Sequence, residues 1–454
     1  MKGPSLAFRA AAALLAASSL GVAAQGAAAL GRPAPASTAP GDALRLVEKS
    51  DFSRYVDGKY IGHAYREARG FLAPEGDAYA GEFLVLEETL RDMRSAARRV
   101  DRNFPVRLDL RGSSFAPRED SGFPSLRGLP SFPKEGVEAG SAWTAEGTRA
   151  LDFDDSGAFV LLPFLAQYSC KGFVDYRGSK ALSLAAKFAT RWKADGGKPS
   201  APLPAEGEGR ARVRPVSEIV AGASGTHELD IIVDAESLAP LFIRDRFDES
   251  FALVAGGSER RSGFSLFFFE GAAPVDRGAD GEAIASTIAK AATRGDASAA
   301  DEAAPVSAGP KPLLAGEGPG LEDMDPAAMD KTGLELDTSP EGLVLRVKDL
   351  RFVADSDSIL PDEAWRLDAI AAALKALPGR TFLVAGHSAG VGKALGELEL
   401  SEKRAKKVSD ELAARGIEAT RLLYRGFGSS KPLEPNDTEA GRAKNRRVEI
   451  TILD

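Results

Sequence analysis

The chain has 454 residues, enough for several domains at about 100–200 residues each, and its 58 basic and 66 acidic side chains leave a net charge of −8. That balance argues against a nucleic-acid binder, which carries a basic excess, and a single cysteine, Cys170, excludes an intramolecular disulfide and any CxxC site. Three histidines (His63, His227, His387) leave no material for a histidine-rich metal site, and no cofactor is expected.

Lys2 and Arg9 flank the apolar stretch Ala10–Leu20, which is too short to span a bilayer, and Val22-Ala23-Ala24 offers small residues for cleavage. Residues 1–24 are therefore expected to be an export signal, with no transmembrane segment after its removal. Residues 25–41 are rich in Ala, Pro, Gly and Ser and read as a flexible leader. Residues 42–112 are expected to form an N-terminal α/β domain. Its helix falls at Glu82–Val100, where Phe83, Leu86, Leu90, Met93, Ala97 and Val100 recur at spacings of three and four, and its strand at Val106–Leu110.

Residues 113–271 read as a β-rich domain that opens with a Pro/Gly/Ser-rich loop over 113–135. Ala158–Leu165, Gly172–Arg177, Leu182–Trp192, Glu228–Val233, Leu241–Arg246 and Gly263–Phe269 are strand-sized runs between turn signals, and Lys198–Arg212 interrupts them as a loop. They predict a β-sandwich or open barrel; a membrane barrel is disfavoured because sustained alternation and paired aromatic girdles are missing. Residues 272–332 are Ala/Gly/Pro/Asp-rich, and Asp276–Lys331 holds eleven acids against five bases. This stretch reads as an acidic, solvated linker with one short helix at Gly281–Ala292.

Residues 333–454 have the pattern of an α/β sandwich. Gly342–Phe352 predicts a strand, and Pro361 opens a helix lined by Leu367, Ile370, Leu374 and Leu377 that stops at Pro378-Gly379. Thr381–Ala385 is a second strand. Ser401 is placed as the cap of a helix over Glu402–Arg415, with Ala405, Val408 and Leu412 inward. Leu422–Gly426 and Val448–Leu453 complete the set, so the whole chain is expected to be multi-domain α+β.

Two motifs suggest chemistry and lack its requirements. Gly386-His387-Ser388-Ala389-Gly390 spells G-x-S-x-G after a strand, the signature of a nucleophile elbow, but no histidine follows His387 and only 66 residues remain after Ser388. Asp152-Phe153-Asp154-Asp155-Ser156-Gly157 begins like a calcium loop, but its twelfth position is Pro163 in place of a bidentate Glu.

A third constellation is more specific. Gly386-His387-Ser388, Leu400-Ser401-Glu402-Lys403-Arg404-Ala405, Gly416-Ile417, Gly426-Phe427-Gly428, Pro432, Asn436, Gly441-Arg442 and Asn445-Arg446-Arg447-Val448-Glu449-Ile450 occur in order. In these residues the sequence resembles the OmpA C-terminal-like family of peptidoglycan-associated domains, over about 333–454. The resemblance implies a βαβαββ sandwich, no catalysis, and non-covalent binding of a peptidoglycan stem peptide in the periplasm or cell envelope, in association with the outer membrane. In the family an aspartate takes the ammonium of diaminopimelate and an arginine its carboxylate, through paired hydrogen bonds that a planar guanidinium offers. Arg404 matches that arginine, Arg446 matches a second pocket arginine, and Asp355 falls in a loop that often supplies a polar contact. Here the family's GHTD reads Gly386-His387-Ser388-Ala389, so the ammonium-binding acid is Ala389.

Two readings follow and stay open at this stage. In one, Glu397 or Asp355 replaces the acid beside Arg404, Arg446 and Ser388, and the chain is a wall tether or scaffold with an altered pocket. In the other, the domain keeps its fold without its ligand and serves as a protein-interaction module, with an envelope protein as partner through residues 42–270. A serine hydrolase at Ser388 is the third and most remote reading.

Overall fold

The computed structural model of the chain describes residues 43–76, 78–86, 97–111, 114–119, 122–134, 136–153, 157–193, 212–272, 275–300, 332–339, 342–348, 350–353 and 356–453. The export signal, the leader, residues 87–96 of the expected helix, Asp154–Ser156, most of the 198–212 loop, residues 301–331 of the linker, and Asp355 lie outside the described residues.

Among the described residues thirteen strands come first, with one helical turn, Val216–Ile219, between the tenth and the eleventh. They are β1 (Ala43–Val56), β2 (Lys59–Glu75), β3 (Ala78–Leu86), β4 (Arg98–Arg111), β5 (Ser114–Glu119), β6 (Leu126–Arg127) and β7 (Ala142–Asp152). After these come β8 (Ala158–Tyr176), β9 (Ser179–Lys193), β10 (Arg212–Arg214), β11 (Val220–Asp234), β12 (Pro240–Leu253) and β13 (Ser258–Ala272). Helix α1 (Ala279–Ala300) follows, then β14 (Leu334–Ser339), β15 (Gly342–Lys348), α2 (Ala364–Lys375), β16 (Thr381–Gly386), α3 (Ala394–Ala414), β17 (Leu422–Gly426), α4 (Glu439–Asn445) and β18 (Arg447–Leu453). The chain packs as two compact units, neither of them contiguous: the described residues of one lie in Ser50–Ala64 and Leu108–Phe269, those of the other in the start of β1, in Tyr65–Arg107 and in Glu270–Asp454.

In the first unit β6, β7, β8, β9, β11, β12 and β13 pair one after another, each antiparallel to the last. This is one continuous antiparallel meander. The strands are longer than the apolar runs suggested. Ala158–Leu165 and Gly172–Arg177 are one strand, kinked by a register shift between Cys170 and Gly172, where Gly172 takes a φ of +107° that a side chain would resist. Residues alternate buried and exposed along β9 and β12, and the inward set includes Leu182, Leu184, Phe188, Ile243, Phe247 and Phe251.

In the second unit β14, β15, β18, β16 and β17 pair in that order, all antiparallel except β16 with β17. The expected order of strand and helix is present as β15-α2-β16-α3-β17-β18, with β14 and α4 added. Phe382, Val384, Ile450 and Ile452 face α2 and α3 in one core with Ile370, Leu374, Val408 and Leu412. The intervening residues Leu383, Leu423 and Leu453 point to the other face, where Phe71, Leu84, Leu86 and Val100 pack on them. This packing corrects the expectation of an N-terminal α/β domain. Within 82–100 the described residues hold no helix: β3 ends at Leu86, Ala97 is a bend, and β4 begins at Arg98 and pairs with β17 at Leu423 and Tyr424. Phe83, Leu84, Val85 and Leu86 are all buried, and a short apolar run of that kind satisfies either period.

The expected linker is corrected in its first part. Ile284 and Ile288 of α1 are fully buried in the core beside α2, and Asp280 accepts a hydrogen bond from Arg380 at 2.8 Å. Among the described residues no helix is long and apolar enough to cross a membrane.

Candidate functional site

A cleft of ≈ 310 Å³ opens where the 350–360 segment, the end of β16, the middle of α3 and the start of β18 meet. Its polar lining is four arginines, Arg351, Arg404, Arg446 and Arg447, and His387. Its apolar lining is Leu350, Phe352, Leu360 and Val448, with Gly386 at the strand end. No acid occurs among the described lining residues. Arginine guanidinium groups in a recess suit a carboxylate or another planar anion.

The local sequence explains how α3 comes so close. A Cβ at Gly386 would lie 2.1 Å from Ser401 O, and one at Gly426 would lie 2.6 Å from the Glu402 backbone nitrogen, so only glycine lets the helix rest on the ends of β16 and β17. Ser401 is not a cap. Helix α3 begins at Ala394, because Ala394, Leu395 and Glu397 favour helix and nothing stops it before Ser401. The Ser401 hydroxyl instead donates to Leu398 O at 2.8 Å and accepts from Gly428 N–H at 2.9 Å, tying the helix to the loop after β17. Arg404 therefore sits well inside the helix and gains nothing from unpaired N–H groups of a first turn.

Arg404 is half-buried. Its Nε donates to Ser356 O at 3.2 Å and its guanidinium lies 4.7 Å from the Phe352 ring centre, which holds the side chain along the cleft wall. Arg446 donates to Glu439 Oε1 at 2.6 Å from a half-exposed position. Arg351 pairs with Asp362 and, at 2.7 Å, with the buried Glu363. Beneath them Glu449 accepts from Arg447 Nε at 2.8 Å and from Arg346 Nε at 3.1 Å. Burial works against the Glu449 charge, but His387 and the arginine overcome it and hold the carboxyl well below the usual carboxylate range. His387 is 3% exposed, stacks on Phe427 with ring centres 5.3 Å apart, and has Nε2 3.3 Å from Glu449 Oε2. That approach is longer than the arginine contacts of Glu449, and among the described residues neither ring nitrogen has a hydrogen-bond partner.

Of the residues singled out from the sequence, Arg404 and Arg446 meet in the cleft. Glu397 does not. Its Oε1 accepts from Val391 N–H at 2.8 Å and Gly392 N–H at 2.6 Å, and its Oε2 from Ser429 Oγ at 2.6 Å. The Ser429 hydroxyl, then the Gly392 N–H, lower its pKa, so this acid fastens the loop after β16 and is no substitute for a ligand-binding one. Ala389 is 4% exposed in that same loop. Ser388 is buried, and among the described residues its Oγ has no hydrogen-bond partner, so none of them is placed as an activating base. Asp355 lies outside the described residues. Sequence reasoning missed Arg351, Phe352, Arg447 and Glu449 as parts of the site. The alternating Arg447 and Glu449 on one strand face beside a basic cluster was the only available signal.

Asn445 of the Asn-Arg-Arg motif has a structural task. Its side-chain oxygen accepts from Leu433 N–H at 2.8 Å and Glu434 N–H at 3.1 Å, and its amide donates to Glu434 O at 2.6 Å, which shapes the loop before α4.

The OmpA family model matches residues 351–446, a stretch that holds Arg351, Phe352, Arg404 and Arg446. The chain is similar to the probable lipoprotein YiaD of Escherichia coli, at 32% identity over 27% of this chain and 57% of that protein. It is similar to the peptidoglycan-binding protein ArfA of Mycobacterium tuberculosis, at 38% identity over 23% of this chain and 32% of that protein. It is also similar to the outer-membrane lipoprotein YfiB of Pseudomonas aeruginosa, at 34% identity over 29% of this chain and 79% of that protein. The chain thus spans about half of YiaD and a third of ArfA. Through its C-terminal domain, with the arginine cleft inside the matched stretch, the chain belongs to the OmpA family.

Proposed function

We propose that this chain is an exported cell-envelope protein whose C-terminal domain binds peptidoglycan non-covalently, as a tether or scaffold on the periplasmic side of the outer membrane. The observation that carries this reading is the convergence of Arg404 and Arg446 on one cleft inside the family-matched stretch. A carboxylate of the stem peptide enters the cleft and takes hydrogen bonds from those guanidinium groups. The name of ArfA supports the ligand class, and the names of YfiB and YiaD support the envelope location. Residues 1–24 act as the export signal, and no nucleic acid is bound.

A second reading rests on Ala389. With an apolar residue at that position, the domain keeps its fold as a protein-interaction module, and residues 42–270 engage an envelope partner.

Sedimentation of the full chain with purified peptidoglycan separates the two. The wall-binding reading expects the wild type to pellet and Arg404→Ala to lose tenfold or more in retention, since a charged hydrogen-bond partner contributes about 1.5–3 kcal/mol. If the wild type stays in solution and Ala389→Asp pellets, the interaction module is the correct account.

A further inference from the structure

We infer that binding of an anion in the cleft is coupled to uptake of a proton by His387. The inference rests on the carboxylate-binding reading above and adds a specific regulation to it.

His387 is an unusual lining residue. It sits among Arg351, Arg404, Arg446 and Arg447 on the wall of the cleft, is 3% exposed, and leaves both ring nitrogens without a hydrogen bond to any described residue. A buried polar atom without a partner costs about 1–3 kcal/mol. The charged groups around the ring are Glu449 and Arg447 from β18 and Lys431 from the loop after β17, with Arg404 of α3 and Arg446 farther along the cleft. Glu449 is the only acid of the set, and it is already shared between Arg447 and Arg346. Burial, reinforced by Arg447 and Lys431, pushes the imidazole below its ordinary value against the pull of Glu449, so the unliganded ring is neutral at pH 7.

A carboxylate in the cleft changes that balance. It adds negative charge beside a ring surrounded mostly by cations, and it favours the form in which both ring nitrogens carry hydrogen. The anion therefore raises the affinity of His387 for a proton. By linkage, the proton raises the affinity of the cleft for the anion by the same factor. The interaction acts through the field and needs no direct contact with the shielded ring nitrogens. Affinity accordingly increases as the pH falls through the window between the pKa of the complex and the lower pKa of the free protein. Each unit by which the anion raises that pKa corresponds to about tenfold in affinity.

The test is calorimetric titration of the full chain with muropeptides released from purified peptidoglycan by a muramidase. Titrations near pH 6 are run in two buffers of different ionisation enthalpy, which report the protons taken up. We expect a fractional proton uptake by the wild type and about threefold to tenfold tighter binding near pH 5.5 than near pH 7.5. His387→Gln binds with no proton uptake and a flat profile, although His63 and His227 remain. The wild-type proton count does not depend on how well the variant folds. Equal heats in both buffers, with tight binding by the wild type, overturn the proton linkage and leave the carboxylate reading intact. Absence of binding by the wild type at every pH overturns both.

Discussion

His227 in the β unit and His387 in the α/β unit are both buried, at 1% and 3% exposure, and each lies beside carboxylate, yet their basicities move in opposite directions. His227 Nδ1 lies 2.9 Å from both oxygens of Asp245, and Nε2 lies 2.8 Å from Glu249 Oε1. Carboxylates only accept, so two well-placed partners require hydrogen on both nitrogens, and the ring is an imidazolium. Arg149 spans the same two acids, at 3.3 Å to Asp245 and 3.0 Å to Glu249, which leaves two cations facing two anions. The ring stacks on Phe188 with centres 4.0 Å apart. Burial alone lowers the pKa of His227, and Asp245 followed by Glu249 raises it above the ordinary value. Burial also penalises the Glu249 charge, but Arg149 and His227 bring that carboxyl down to about 2. His387 meets one carboxylate, whose other oxygen takes the bonds of Arg447 and Arg346, and burial, reinforced by Arg447 and Lys431, wins. Burial pushes in the same direction at both sites; the number and prior commitment of the acids decide the outcome.

The largest effect is expected from taking one cation out of the His227 cluster. Arg149→Met leaves two buried carboxylates to a single imidazolium and should destabilise the β unit by about 3–5 kcal/mol in denaturant unfolding. A loss under about 1 kcal/mol would mean that the cluster is hydrated and that the comparison with His387 is not one of buried charges.

Next in size is the pH response, and it differs in sign between the units. The folded-state pKa of His227 is raised, so its contribution is complete below the ordinary value near 6.5 and is lost as the pH rises through the higher folded value. For His387 the folded value is lowered, so stability is complete above about 6.5 and is lost as the pH falls toward the lower value. Hydrogen exchange followed by peptide between about pH 5.5 and 8.5 should show β9, β11 and β12 opening more readily on the alkaline side and β16 and β18 on the acid side. His387→Gln should remove the acid-side change and leave the alkaline one.

The two histidines also mark how far sequence reasoning reaches. Element order in the C-terminal domain was legible because Leu367, Ile370 and Leu374 keep a helical period and Val448, Ile450 and Ile452 keep a strand period. Arg404 and Arg446 were legible through motif residues, several of which, such as Gly386, Gly426 and Asn445, have steric or hydrogen-bonding tasks that restrict their identity. The rest of the cleft was not. Arg351, Arg447 and Glu449 come together only when segments far apart in sequence meet, and no spacing records that. The misplaced start of α3 had a local cause: Ser401 looks like a cap, but its hydroxyl bonds inside a helix that had already begun. The end of β3 fits a helical spacing because its buried run Phe83–Leu86 is apolar at every position, and the start of β4 gives no strand signal because its partner β17 lies more than 300 residues away. In the β unit, His227, Asp245 and Glu249 gave no signal as a cluster, since they meet across the β11–β12 pairing.

Smaller effects test whether acids near the cleft belong to it. Glu397→Ala removes three accepted hydrogen bonds from an exposed loop and should cost about 1–2 kcal/mol in thermal or denaturant unfolding, with peptidoglycan retention unchanged at temperatures where the loop is folded. Loss of retention without loss of stability would return Glu397 to the site.

The smallest change is expected at Ser388, and it is the sharpest control on His387. Both residues are buried, adjacent in sequence, and lack hydrogen-bond partners among the described residues for their side-chain polar atoms. Only the imidazole can change charge in this pH range. Ser388→Ala removes an unpaired hydroxyl and should be neutral or stabilising by up to about 1 kcal/mol, with no change in retention or in its pH dependence. If instead Ser388→Ala flattens the pH profile as His387→Gln does, the two residues act together through their local packing, and titration of the ring is not the source of the response.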